Sequence, residues 1–239
     1  MKQTLIFYIN LFFITLYHGA RAVLHKGKNR RDFDENNSLT WARRLLQQSG
    51  VQIEADLSSI TPGGHYVFIG NHQSNIDIPS VMHILSDHPI RFVAKESLFK
   101  IPVFGPALAA SGHIPINRGN SRQAIKSLNE AAKKAQEGVC PFIFPEGTRN
   151  KDITKLMDFK IGAVLLALKC KLPVVPVVIA GTGKYLPTKH VMVHPEEIVK
   201  IKTLEPIDPN AYSLKDREQF RQDLYDKMNK AYIELMETR

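Results

Sequence analysis

Short uninterrupted apolar runs alternate along this chain with stretches whose apolar positions recur at helical spacing. Tyr66-Val67-Phe68-Ile69, Ile90-Arg91-Phe92-Val93, Cys140-Pro141-Phe142-Ile143 and Val174 to Ala180 have the length and continuity of buried strands. Val191-Met192-Val193 and Ile198 to Thr203 predict further strands. Leu39, Ala42, Leu45 and Leu46 fall at helical spacing before a Gly50-Val51 break, and Ile161 to Leu168 reads as an apolar helix. Leu98 to Ala110 reads as mainly helical, divided by Pro102 and Pro106, and Leu214, Phe220, Leu224, Met228 and Leu235 mark a final amphipathic helix. Strands alternating with helices, without repeats or low-complexity linkers, predict an α/β domain with a mixed, partly parallel sheet flanked by helices.

The N-terminus follows a different pattern. Leu5 to Leu24 is mostly apolar, interrupted by Asn10, Thr15, His18 and Arg21. As a helix it is about 30 Å long, which barely spans a bilayer. Arg21, Lys26, Lys28, Arg30 and Arg31 follow, so the positive-inside tendency places the rest of the chain in the cytosol. A cleaved signal peptide is the alternative, since Lys2 precedes the apolar run and Ala20-Arg21-Ala22 faintly resembles a cleavage site. The basic cluster argues against export. The expectation is an N-terminal hydrophobic membrane-anchoring helix, spanning or interfacial, with the remainder on the cytoplasmic side, at the inner membrane if the source is bacterial.

Three polar loops behind apolar runs carry the candidate chemistry. After Tyr66–Ile69 comes Asn71-His72-Gln73-Ser74-Asn75-Ile76-Asp77. A histidine can take a proton from a hydroxyl if something holds its tautomer and supports the imidazolium, and Asp77 is the candidate support. On a regular helix these two residues would lie about 140° apart, so they meet only if the chain turns between them. Asn75 and Pro79 predict that turn, with Asp77 at a helix start facing His72 at a strand end. After Cys140–Ile143 comes Phe144-Pro145-Glu146-Gly147-Thr148-Arg149, in which Thr, Arg and backbone N–H groups suit a phosphate oxygen. His113-Ile114-Pro115-Ile116-Asn117-Arg118 ends in an arginine just before Gly119-Asn120-Ser121, where Ser121 is the expected cap of a helix through Ile125, Leu128 and Ala132. Taken singly, each loop also reads as an ordinary turn with an exposed charge.

At these residues the chain resembles the PlsC-like family of 1-acyl-sn-glycerol-3-phosphate (lysophosphatidate) acyltransferases. Asn71 to Asp77 matches the family's NHxSxxD block, which contains its HxxxxD motif, and Phe144 to Arg149 matches FPEGTR in full. Ile114 to Arg118 matches an IPIxR-like block, and Val175 to Ile179 matches VPVxI; the four follow in order across roughly residues 60 to 185. The second block departs from the usual pattern at Pro115 and Asn117 but keeps Arg118. The resemblance implies transfer of a fatty acyl group from a thioester, acyl-CoA or acyl-carrier protein, to the free hydroxyl of 1-acylglycerol-3-phosphate, forming phosphatidic acid in phospholipid biosynthesis. It implies His72 as general base, Asp77 orienting it, and Arg118, Glu146, Gly147, Thr148 and Arg149 holding the acceptor's phosphate and glycerol. Gln73 and Gly147-Thr148-Arg149 are closer to the lysophosphatidate branch than to enzymes acting on glycerol-3-phosphate or another lysophospholipid. With the resemblance, the chain divides into a membrane anchor and basic juxtamembrane segment, 1–31, and an acyltransferase domain, 32–239.

The chemistry is self-consistent, because a thioester is already activated and the enzyme need only deprotonate, position and stabilise. No G-x-S-x-G elbow surrounds Ser74, so its expected role is to shape the loop. Lys and Arg number 32 against 23 Asp and Glu, a net charge of +9. That excess favours an anionic membrane surface, nucleic acid or an acidic carrier protein, and no nucleic-acid motif supports the second. A catalytically silent basic membrane-binding module is the contrasting reading, disfavoured by the intact His72 and Asp77. Cys140 and Cys170 lack C-x-x-C spacing and are expected to be buried and reduced. His190 and His194 on a strand would stand about 13 Å apart, and His65, His83, His88 and His113 form no ligand spacing, so neither metal nor organic cofactor is expected. Lys95 and Lys160 rank below the arginines as phosphate partners.

Overall fold

Among the described residues seven strands join into one sheet in the order β1-β7-β6-β2-β5-β3-β4, parallel throughout except for the antiparallel β6–β7 pair. In this computed structural model residues 2–27, 29–117, 119–188 and 192–237 are described. Along the chain the elements are α1 (Lys2–Leu24), α2 (Arg30–Ser49), β1 (Gln52–Asp56), β2 (Val67–Gly70), α3 (Asp77–Ile84), β3 (Ile90–Lys95), α4 (Phe104–Ala110), β4 (Ile114–Ile116), α5 (Ser121–Gln136), β5 (Cys140–Ile143), α6 (Ile161–Cys170), β6 (Val174–Ala180), α7 (Thr182–Tyr185), β7 (Ile198–Thr203) and α8 (Arg217–Glu237). The α/β architecture, with a mixed, partly parallel sheet flanked by helices, agrees with the pattern of the sequence.

The path through the sheet positions the candidate site. From β2 the chain steps outward to β3 and β4 through α3 and α4, which cover one face; it returns through α5 and α6, on the other face, to β5 and β6. Parallel crossovers keep one hand, so reversing direction forces the change of face. β2 and β5 lie side by side, with Ile69 opposite Ile143, and the loops leaving their carboxyl ends diverge towards opposite faces. A crevice opens where they part, the usual ligand position in such sheets.

The two faces are packed differently. Val67, Ile69, Val178 and Ala180 point into a core with Leu128, Leu166, Phe220 and Leu224 of α5, α6 and α8. Phe68, Phe142, Val177 and Ile179, on the alternate positions, meet Phe7, Leu46, Val81 and Tyr185 of α1, α2, α3 and α7. Gly70 closes β2 because a Cβ there would fall 2.6 Å from the Phe142 ring.

Several elements differ from the sequence expectation. The helix expected over 39–49 begins at Arg30. Its polar first half is held by α1 rather than by its own periodicity: Trp41 Nε1 donates to Thr15 Oγ1 at 3.1 Å, and Asn37 Nδ2 donates to the His18 carbonyl at 2.9 Å. α5 is capped by Asn120, whose side chain accepts from the Gln123 N–H, so Ser121 is its first helical residue and not its cap. Of the strand expected at 191–193, Val191 lies outside the described residues, and Met192 and Val193 form no strand. Val193 N–H donates to Thr4 Oγ1 and His194 N–H to the Tyr185 carbonyl, bonds that tie this segment across the sheet layers instead of into a ladder. Of the His190–His194 pair, His190 lies outside the described residues and His194 contacts Glu196 at 3.2 Å. Leu214 sits in a short turn before α8. Of the two prolines expected to divide 98–110, Pro102 separates a short 3-10 turn from α4, while Pro106 falls within the first turn of α4, where its missing N–H has no helical partner to lose.

α1 and α2 pack as a hairpin, and α1 also lies against α4. One face of α1 is buried through Phe7, His18 and Ala22, while Leu5 (63% exposed), Phe12 (62%), Phe13 (62%) and Leu24 (73%) are uncovered. Among the described residues α1 is the one helix long and apolar enough to cross a membrane. Part of the basic cluster behind it is used inside the protein. Arg30 donates to the Ala22 and His25 carbonyls at the end of α1 and pairs with Asp34, while Arg31 donates to the Gly138 carbonyl beyond α5.

Candidate active site

Asp77, the first residue of α3, is fully buried, and its carboxylate organises the loop that leaves β2. Asp77 Oδ2 accepts from His72 Nδ1 at 2.7 Å, from the Gln73 N–H at 2.7 Å and from the Ser74 N–H at 2.8 Å. The chain does turn between His72 and Asp77, as the pair requires. A buried carboxylate accepts only, so His72 carries its proton on Nδ1 and presents the lone pair of Nε2. The His72 side chain keeps 15% exposure, and its ring lies against Phe144 with centroids 4.0 Å apart and planes 16° apart.

The loop is held further at Asn71, His72, Gln73 and Ser74. Asn71 Nδ2 donates to the Ile179 carbonyl at 2.8 Å and Asn71 Oδ1 accepts from the Ile179 N–H at 2.7 Å, extending the β2–β6 pairing by a side chain. Ser74 Oγ donates to the Leu186 carbonyl, which gives it a loop-shaping place. Gln73 Nε2 donates to the Tyr232 hydroxyl of α8, and its Oε1 accepts from Thr182. The His72 carbonyl accepts from the Asn150 N–H at 2.7 Å, joining this loop to the one after β5.

In that second loop Gly147 adopts φ 75°, a left-handed conformation that turns the chain sharply between Glu146 and Thr148. Thr148 is exposed and Arg149 half-buried. Arg149 makes no ion pair among the described residues, and the amides of Thr148 and Arg149 donate to no acceptor there, so charge and N–H groups are free together at the crevice. The positive charge lies near Tyr8 of α1, opposing the upward push of burial on that phenol. Glu146 is placed otherwise. Its carboxyl is 1% exposed, neither oxygen has a hydrogen-bond partner of normal geometry, and burial pushes its pKa up to about 8, with Asp77 adding to that and the nearby amides of His72 and Met157 opposing it. Arg118 lies outside the described residues. Lys95 ends β3, exposed, and Lys160 precedes α6. Among the described residues no cluster of His, Cys, Asp and Glu could hold a metal.

An apolar cavity of about 130 Å³ lies between the hairpin and the sheet, lined by Trp41, Ile78, Met82, Phe92, Leu98 and Ala107 among others. It starts close to the crevice, because Phe92 stands 6.0 Å from Phe144, the ring on which His72 rests. Nothing in the local sequence marks the cavity, since the same residue types build an ordinary core. Tyr232 is equally invisible, as it reaches Gln73 from 159 residues away.

Together these features define an α/β protein with a histidine–aspartate pair and a cationic loop at the carboxyl ends of the central strands, and an apolar cavity nearby. The acyltransferase family model matches residues 51–180, more than half of the chain, and the chain belongs to that family. The chloroplastic 1-acyl-sn-glycerol-3-phosphate acyltransferase of Brassica napus is 39% identical over 73% of this chain and 50% of its own length. The Helicobacter pylori enzyme of the same name is 30% identical over 86% of this chain and 83% of its own. The chain thus spans about half the length of the plant relative and most of the bacterial one. The crystal structure of the 1-acyl-sn-glycerophosphate acyltransferase PlsC from Thermotoga maritima superposes with a TM-score of 0.79 at 26% identity, covering 99% of this chain and 95% of that one.

Proposed function

We propose that this protein transfers a fatty acyl group from a thioester donor to the free hydroxyl of 1-acylglycerol-3-phosphate, producing phosphatidic acid. The observation that carries the reading is the 2.7 Å His72–Asp77 contact, which leaves Nε2 open at the crevice beside a free Arg149. Nε2 takes the acceptor's hydroxyl proton as that oxygen attacks the thioester carbonyl carbon. The new C–O bond forms, the C–S bond breaks, and the sulfur leaves as a thiol by taking the proton from His72. Asp77 supports the imidazolium from one side and the Phe144 ring face from the other, a cation–π contact that strengthens as the charge develops.

The acceptor's phosphate is assigned to Arg149 with the Thr148 and Arg149 amides, joined by Arg118 from the loop after β4; Gly147 supplies the turn. Glu146 lies buried beneath the loop with both oxygens unpartnered, and because burial disfavours its charge, what it offers the glycerol is a hydrogen bond rather than a charge. The apolar cavity receives the donor's acyl chain. The uncovered face of α1 lies in the membrane interface, with residues 1–31 as the membrane-contacting segment and 32–239 as the catalytic body on the cytoplasmic side. An α1 whose other face is buried against α2 and α4 supports an interfacial placement over a span.

Purified protein incubated with acyl-CoA or acyl-carrier protein and a panel of acceptors tests this. Phosphatidic acid formed from lysophosphatidate, faster than product from glycerol-3-phosphate and at least about a hundredfold slower in His72→Ala, is the expected result. A preference for glycerol-3-phosphate, or near-normal turnover by folded His72→Ala, would overturn it.

A further inference from the structure

The two loops that meet at the crevice are braced from a third direction, by the C-terminal helix. Tyr225, Asn229 and Tyr232 recur at helical spacing on one side of α8, and all three reach the segment that follows Arg149. The Tyr225 hydroxyl donates to the Leu156 carbonyl at 3.3 Å, the Leu156 N–H donates to Asn229 Oδ1 at 3.2 Å, and the Tyr232 hydroxyl donates to the Ile153 carbonyl at 2.5 Å. Tyr232 also meets the His72 loop, through Gln73.

The direction of each bond follows by elimination. A carbonyl only accepts, so the single hydroxyl proton of Tyr232 goes to Ile153, and the phenol oxygen accepts from Gln73 Nε2. Burial pushes this phenol up to about 12, so the proton stays in place at neutral pH. The Gln73 amide is thereby oriented, with Oε1 turned to the Thr182 hydroxyl. The Gln73 N–H donates to Asp77 Oδ2 at 2.7 Å. Through one residue, then, Tyr232 is joined to the carboxylate that holds His72, and through its other bond to the loop that carries Arg149. Gln73 and Tyr232 are both buried, so cutting either bond strands a polar group away from water.

We propose that Tyr232 is a positioning residue for the transfer reaction: by tying Gln73 to Ile153, it fixes the base on the first loop relative to the acceptor phosphate held by the second. This rests on the proposed roles of His72 and Arg149. The Asn150 N–H joins the loops directly, at 2.7 Å from the His72 carbonyl. Tyr232 supplies a separate tie, and two ties stop a relative rotation that one permits.

The test is steady-state kinetics of the full chain in mixed micelles with acyl-CoA and lysophosphatidate, run well below the melting temperature of each variant. Tyr232→Phe should lower kcat by roughly tenfold or more, since misplacing reacting groups by about 1 Å costs up to about a hundredfold, and should leave both KM values within about twofold. Tyr225→Phe removes a bond from the same helix to the same segment without touching Gln73, and should keep kcat within about twofold even where it lowers the melting temperature. A purely structural Tyr232 would lower the melting temperature and leave the kcat of folded protein unchanged; that result overturns the proposal, as does an equal kcat loss in Tyr225→Phe. Gln73→Met cuts the tie from its other end and should lower kcat at least as much, so it decides the matter if Tyr232→Phe does not fold. The double variant should be no more than about twofold slower than the slower single, whereas multiplied losses would show two independent actions and overturn the proposal. Full kcat in Tyr232→Phe beside a slow His72→Ala overturns only this proposal; near-normal turnover in folded His72→Ala overturns the reading on which it rests.

Discussion

The sheet has one dry face and one hollow face. Under α5, α6 and α8 the buried side chains are apolar, and the Tyr232 hydroxyl is turned towards the Gln73 loop. Under α1 to α4 the same sheet supports cavities and buries His18, Asp34, Asn37, His88, Ser111 and His113. Polar groups are expensive to bury and voids forfeit contacts, so a protein built for stability alone would resemble the first face on both sides. On the proposed reading the contrast divides the work: one face holds the strands in register, and the other gives up packing to leave room for an amphiphile near His72.

The largest expected effect lies at the edge the two faces share. His72→Ala should lower turnover by about a hundredfold to ten-thousandfold without unfolding the chain, and Asp77→Asn should also be impaired, because an amide cannot support the imidazolium. Steady-state rates alongside circular dichroism check this; near-normal turnover in a folded variant removes the pair from the mechanism. On the dry face, Leu166→Ala should cost about 2 to 5 kcal/mol in denaturant unfolding, because that side chain is wholly enclosed. On the hollow face, Ala107→Leu should cost less than about 1.5 kcal/mol, since its methyls enter existing space, while shortening the longest acyl chain accepted. Equal costs would erase the distinction between the faces. Arg149→Gln should weaken acceptor binding by about 1.5 to 3 kcal/mol with little effect on the donor. A loss concentrated on the donor would move Arg149 there, and equal losses for both substrates would mark a general folding defect.

The smallest effect is a slope. Burial keeps Glu146 protonated in the folded chain up to about pH 8, whereas the unfolded carboxyl ionises near 4.3. Folding binds a proton between those values, so stability falls as pH rises through them, by at most about 1.4 kcal/mol per unit. His113, lowered to about 3, has the opposite sign: its contribution is present at higher pH and is lost as pH falls below about 6.5. Between about pH 6.5 and 8 the Glu146 effect stands without the His113 one. Glu146→Gln should therefore flatten the fall in melting temperature across that window; an unchanged slope would show that Glu146 is already ionised.

Most strands and the His72–Asp77 pairing were legible because they are local. β2, β5 and β6 are buried runs bounded by turn residues, β3 is mostly buried, β7 alternates buried residues with lysines, and a five-residue spacing with Asn75 and Pro79 demands the turn that brings His72 to Asp77. β1 escaped because its residues are mostly exposed and lack an apolar run, and the first half of α2 because its residues are polar and are held by α1.

By itself, then, the sequence determined the alternation of strands and helices, the three polar loops behind apolar runs, and the turn that lets His72 meet Asp77. These follow from short-range rules: side-chain periodicity, turn residues and the reach of one loop. Only the tertiary structure decided that the loops after β2 and β5 part at one crevice, that Arg30 and Arg31 are tied within the protein, that Glu146 lies under the loop, and that His18 is buried beside a cavity. Those depend on which distant segments meet, and a pattern of apolar residues is the same whether it fills a core or walls a cavity.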